Sequence, residues 1–277
     1  VETQEKVSNI INDLKNKNVV VKDIKNKEKI LTRPKLFSLD TLQNLMFKTH
    51  KMSIKETLQH VQSLYEKGYC TYPRTNTEYL AENEKDKVKE ILTTLKDSRL
   101  TFFDKKTIFD DSKIESHSAI IPTTKIDLDS NINSRTKLVY DTILNRFKSV
   151  FCKEDAVILE NEIVFNLGEY STKLVAKTIS KAGFLIFEPQ KEKMLPNFKL
   201  GEEFEPVLTS EVKQTTPPAK INEASLNKYL KNPKLTQEDE SFSNDELDSE
   251  DGKNLDLSDE DFYKDVLDGL EIGTVAT

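Results

Sequence analysis

Cysteine and histidine are scarce. Two cysteines, Cys70 and Cys152, and three histidines, His50, His60 and His117, are scattered singly along 277 residues. None stands at metal-ligand spacing, so no metal site is expected from them. Two isolated cysteines also exclude a disulfide framework and fit reduced thiols of a cytoplasmic protein. Long apolar runs are missing as well. Nothing approaches the roughly 18–20 residues that cross a bilayer as a helix, so no membrane partner is expected. The first residues, Val1-Glu2-Thr3-Gln4, show neither a start methionine nor a signal-peptide pattern, which predicts a piece excised from a longer protein.

What is abundant is charge. Charged residues make up 32% and hydrophobic residues 36%, below the usual apolar share, so part of the chain is expected to be solvated. The length suits two domains or one large one. The net charge of −7 is unevenly spread. Residues 238–271 hold fifteen Asp/Glu and two Lys, leaving 39 Lys/Arg against 33 Asp/Glu elsewhere, a net of +6. A mildly basic body is compatible with nucleic-acid binding without demanding it. The acidic, Ser/Asp-rich stretch 236–261 reads as a mobile loop whose charge repels phosphate.

Periodicity sets the elements. Val7, Ile10, Ile11 and Leu14 predict a helix over 5–16, and the β-branched run from Val19 predicts a strand over 18–31, ended by Arg33-Pro34. Helices follow over 40–50 and from Ser53 to Gly68. Ser53 with Glu56 reads as a capping box, and Gly68 as the stop. This pair is an ordinary helical hairpin or a helix-turn-helix unit. Tyr69–Thr75 reads as a short extended piece, 81–97 as helix, 98–133 as irregular and 136–151 as helix. From 156 to 212 short β-type runs take over, at 156–159, 163–165, 174–176 and 183–187, with turns at Gly168 and Gly201. The order strand, helices, strands is that of a helical insertion in a β domain, an α+β fold.

The segment Thr71-Tyr72-Pro73-Arg74-Thr75-Asn76-Thr77 carries the most chemistry. A phenol with an ordinary pKa of about 10 is a poor nucleophile at neutral pH. It becomes competent for phosphodiester exchange when cations stabilise the phenolate and the crowded phosphorus. On an extended segment Arg74 lies on the same side as Tyr72, where a guanidinium can fork onto phosphate oxygens. Taken alone, Tyr-x-Arg is common and usually structural.

Several segments together are more specific. Thr71-Tyr72-Pro73-Arg74-Thr75 after Tyr65-Glu66-Lys67-Gly68 resembles the active-site signature of type IA DNA topoisomerases. Lys35–Gln43 and Ser63–Glu66 are similar to the family upstream. Ser116-His117-Ser118-Ala119-Ile120-Ile121-Pro122-Thr123 resembles its histidine-bearing second signature. Thr216–Lys220 with Glu223-Ala224-Ser225-Leu226, and Ile272–Thr277, resemble two later segments, the last cut before its arginine. Pro73 and the run Ala119–Thr123 look more like topoisomerase III than topoisomerase I.

The resemblance implies roles. Tyr72 would be the nucleophile forming a 5′-phosphotyrosine, Arg74 would stabilise the scissile phosphate, and His117 would assist beside them. Gln43, Thr75 and Asn76 would contact DNA. Phe37, Tyr65 and Tyr79 are possible base-stacking groups, although core packing suits them too. The implied architecture is a β-rich hinge domain from 1–34 and 153–216, a helical domain 35–152 carrying Tyr72, and a connection 217–277. Implied partners are single-stranded DNA and a duplex passing through the gate, with the enzyme a monomer in the bacterial cytoplasm at the nucleoid. Mg²⁺ would be the cofactor of the full-length enzyme, held in a Toprim domain outside this chain.

Two departures stand out. Asn76 replaces the aspartate of many relatives, and Ile221-Asn222 replaces an aromatic-Thr pair. Other classes fit less well. A non-catalytic helix-turn-helix module would have to prefer duplex. A relaxase needs a histidine cluster, and a recombinase needs dispersed Arg/His clamps.

Overall fold

The structure is a computed structural model, and it describes residues 4–189, 196, 198–209, 222, 225 and 226. Contacts divide the chain into two compact units, Val1–Arg33 with Cys152–Thr215 and Pro34–Phe151 with Thr216–Thr277. The segments at 215–220, 223, 236–261 and 262–277 singled out above lie outside the described residues.

The first unit is an antiparallel sheet with strand order β3-β2-β1-β4. Helix α1 (Gln4–Leu14) leads into β1 (Val19–Ile30); β2 (Val157–Leu167) and β3 (Tyr170–Lys181) form a hairpin, and β4 (Glu203–Phe204) adds a short edge. Pairing of β1 with β2, Val19 opposite Leu167 through Ile30 opposite Val157, closes the sheet across the intervening helical residues. One end of the sheet carries an apolar cluster. There Val21, Ile163 and Phe165 pack with Phe198, whose ring meets that of Phe165 edge-on at 5.2 Å. Along the rest, ion pairs such as Lys173–Glu162 at 3.1 Å and Lys177–Glu160 at 3.6 Å line a solvated face.

Two corrections to the strand expectations follow. The runs 156–159 and 163–165 belong to one strand, because Glu160-Asn161-Glu162 sits in a part of the sheet that water reaches and need not interrupt it. Gly183–Ile186 is a 3-10 turn, not a strand. Gly183 has φ +48°, and a Cβ there would lie 2.3 Å from the Asp155 main chain, so the backbone is pressed against its neighbour. Nearby, Arg33 donates to Asp155 at 2.8 Å and to the Cys152 carbonyl, and lies over the Phe184 ring.

The second unit is helical. It contains α2 (Leu39–His50), α3 (Ile54–Glu66), α4 (Lys85–Leu95) and α5 (Ser134–Val150). One core gathers Leu42, Met46, Val61, Leu64, Tyr140 and Ile143 from α2, α3 and α5. A second joins Val88 and Ile91 of α4 to Phe109, Phe147 and Phe151. Caps fix the helix starts. Ser53 Oγ accepts from Glu56 N at 3.1 Å, but the expected capping box is incomplete. The Glu56 carboxylate turns instead to Arg135 of α5, Nη2 to Oε2 at 2.9 Å, pinning α3 to α5. That guanidinium holds the Glu56 carboxyl below its ordinary range. The reciprocal arrangement occurs at α2, where Ser38 N donates to Thr41 Oγ1 at 3.0 Å.

No described helix is long and apolar enough to cross a membrane.

Candidate active site

Three segments far apart in sequence meet at Tyr72. Ile120 N donates to the Phe37 carbonyl at 2.8 Å, Leu39 N to the Thr75 carbonyl at 3.0 Å, and Thr71 N to the Ile121 carbonyl at 2.9 Å. The threonines on either side of Tyr72 reinforce this braid. Thr71 Oγ1 donates to the Ala119 carbonyl at 3.1 Å and accepts from Ile121 N at 3.0 Å. Thr75 Oγ1 donates to the His117 carbonyl at 2.8 Å. Thr123 closes the far end, its hydroxyl bonded to the Gly68 carbonyl at 2.7 Å. The tyrosine loop is therefore clamped to the histidine loop on both sides of Tyr72.

The clamp sets ring on ring. Tyr72 and His117 have centroids 4.4 Å apart, and Tyr65, at the end of α3, meets Tyr72 edge-on at 5.3 Å. Tyr72 is half-buried and His117 exposed. Neither the phenol hydroxyl nor the imidazole has a hydrogen-bond partner among the described residues. They open into a cleft of about 340 Å³ lined also by Tyr65, Thr71, Glu84, Lys87 and Ser118. Cys70 stands at its floor as a structural thiol: it is buried, its Sγ faces the Val61 carbonyl, and burial pushes it up to about 12.

Other expected site residues fall elsewhere. The segment after Tyr72 is not extended. Thr75 N donates to the Pro73 carbonyl at 3.0 Å, closing a three-residue turn about Arg74. Arg74 is exposed, has no partner among the described residues, and does not line the Tyr72 cleft. Thr75, expected to contact DNA, is buried, and its hydroxyl is engaged by the His117 carbonyl. Gln43 also makes an internal bond. Its side chain is fully buried and Nε2 donates to the Ile54 carbonyl at 3.1 Å, tying α2 to the start of α3. Of the stacking candidates, Phe37 is buried under the Arg146 guanidinium at 4.0 Å, and Tyr79 carries the Lys35 ammonium at 4.9 Å, while Tyr65 is 39% exposed.

Asn76 is exposed and donates to Glu115 Oε2 at 2.9 Å. An aspartate here would face a carboxylate, so the amide suits this neighbour. Both residues line a second, smaller cleft with Glu78, Tyr79 and Lys113.

The residues described form no group of three or more His, Cys, Asp or Glu able to hold a metal ion.

A helical unit thus interrupts the sheet in sequence, and within it a tyrosine is clamped against a histidine in an open cleft. The whole chain, residues 1–277, matches the model of the family described as DNA topoisomerase, and it belongs to that family. Within the family it is topoisomerase III-like. It is 34% identical over 248 residues to the putative DNA topoisomerase 3 of Staphylococcus aureus strain bovine RF122 / ET3-1, covering 83% of this chain and 34% of that protein. DNA topoisomerase 3 of strain MRSA252 matches to the same extent, and that of strain USA300 is 33% identical. The chain thus spans about a third of the length of the curated relatives it matches. Full-length topoisomerase I from Thermotoga maritima shares the fold, with a TM-score of 0.61 at 21% identity over 83% of this chain and 39% of that one.

Proposed function

We propose that this chain is the central, strand-cleaving part of a type IA topoisomerase III-like isomerase. One observation carries the reading: an unpartnered Tyr72 hydroxyl in an open cleft, its ring against His117 at 4.4 Å. The Tyr72 oxygen attacks a phosphodiester of single-stranded DNA. A bond from phosphorus to the phenolic oxygen forms, the bond to the 3′-oxygen breaks, and the phenol proton is given up as the 3′-hydroxyl takes one. The 3′-hydroxyl later reverses the exchange and frees Tyr72. One phosphoester replaces another, so no ATP is consumed. His117, which shares the cleft, would hydrogen-bond the reacting phosphate.

Arg74, exposed and unpartnered, would reach DNA outside the cleft as it stands. Asn76 would contact the strand from the neighbouring surface. The strand opening made by Tyr72 would let a duplex pass, in a monomer working at the bacterial nucleoid. Mg²⁺ would be held by residues of the full-length enzyme outside those described.

Tyr72→Phe in the full-length enzyme tests the core of this. The covalent adduct should vanish from a denaturing gel while single-strand binding in a gel shift stays within about threefold. An adduct that persists overturns the proposal. The purified chain alone should not relax supercoiled DNA. Robust Mg²⁺-dependent relaxation by it overturns the division of labour proposed here.

A further inference from the structure

Helix α4 opens with Lys85-Asp86-Lys87-Val88-Lys89. Cations in the first turn of a helix oppose its dipole. Two of these lysines are answered locally. Lys85 pairs with Glu82 and with Asp104 at 2.7 Å, and Lys89 with Asp86 at 2.8 Å. Both also lie over phenylalanine rings, Lys85 over Phe109 at 5.5 Å and Lys89 over Phe102 at 5.2 Å.

Lys87 is treated differently. Its acidic neighbour among the described residues, Glu84, stands 3.9 Å away, beyond hydrogen-bond reach, and 43% of its side chain is exposed. Glu84 is otherwise engaged, Oε2 accepting from Ala81 N at 3.1 Å. Lys87 also lines the cleft that holds Tyr72 and His117, whereas Arg74 does not. An ammonium placed against the helix dipole, loosely paired, and set in that cleft has no evident structural use. Its three donors on a flexible stem suit a phosphate oxygen.

From this we infer that Lys87 contacts a backbone phosphate of the single strand bound beside Tyr72. It is a strand-positioning residue and takes no part in the exchange at phosphorus. The inference rests on reading Tyr72 as the nucleophile.

The test uses the full-length enzyme and a fluorescein-labelled single-stranded oligonucleotide, titrated by anisotropy over a range of salt concentrations. Neutralising one phosphate contributes about 0.7 to the slope of log K against log salt. Lys87→Gln should lower that slope by about 0.7 and weaken binding, with an unchanged melting temperature. Lys87→Arg should keep both slope and affinity. A wild-type slope in Lys87→Gln overturns the inference. So does an equal loss in Lys87→Gln and Lys87→Arg accompanied by a lowered melting temperature, which marks a structural role. Tyr72→Phe run in parallel separates the two claims. If its adduct is lost while Lys87→Gln binds like wild type, only the Lys87 assignment falls. If its adduct persists, the reading of the cleft falls and takes the Lys87 assignment with it.

Discussion

The Thr75 hydroxyl donates to the main-chain carbonyl of His117 at 2.8 Å, and the same oxygen accepts from Thr77 N at 3.3 Å. One buried hydroxyl thus orders the turn after Tyr72 and holds the loop that carries the opposing ring.

Thr75→Val keeps the shape and removes both bonds, leaving a buried donor and an acceptor unpaired. It should cost about 1–3 kcal/mol in urea unfolding. Thr75→Ser should recover most of that. In the full-length enzyme Thr75→Val should also reduce adduct yield more than it reduces strand binding, because it loosens His117 against Tyr72.

Gly183→Ala should be severe. The left-handed backbone disfavours alanine, and its Cβ would collide with the Asp155 main chain at 2.3 Å, which is not a flexible tip that can swing away. A loss of about 3 kcal/mol or more, or failure to accumulate as soluble protein, is expected. Thermal unfolding followed by circular dichroism checks it.

Asp97 gives a pH signature. The Arg99 side chain, bonded to both carboxylate oxygens at 2.9 and 2.7 Å, holds its carboxyl at about 2 against an ordinary 3.8. The folded state binds this proton less readily than the unfolded one. The stabilisation is therefore complete above about pH 4 and fades as pH falls towards 2. Wild type should exceed Asp97→Asn by less than about 1 kcal/mol at pH 6, as for a surface pair, and the gap should close between pH 4 and 2. Denaturant titrations at several pH values read this directly.

Gln43→Met preserves volume at a fully buried position and removes the bond to the Ile54 carbonyl. Stability should drop by about 1 kcal/mol. Oligonucleotide affinity of the full-length enzyme should not change. A tenfold loss of affinity at unchanged stability would restore Gln43 as a DNA contact.

The sequence showed most where local rules suffice. Val19–Ile30 was legible from its β-branched start, and α3 from Ser53 at one end and Gly68 at the other. The apolar run 183–187 misled, because a short buried run looks alike in a strand and in a tight turn. The capping box at Ser53 failed for a tertiary reason: Arg135, distant in sequence, outbid the local backbone for Glu56.

At the site, the motif pointed to Tyr72 and His117, and folding brings their rings together. The bond from Thr75 N to the Pro73 carbonyl was not visible in Tyr-Pro-Arg, so the turn at Arg74 was not expected. Lys87 gave no signal at all, since one lysine among several on a charged helix looks like solvation until the cleft shows which of them it faces.

The three-way braid of segments near residues 37–39, 71–75 and 117–123 means that a short peptide around Tyr72 does not contain the whole arrangement. A nascent chain, or a proteolytic scrap of it, carries the tyrosine without its opposing ring. The pairing of the two rings therefore depends on long-range folding of the helical unit and not on local sequence.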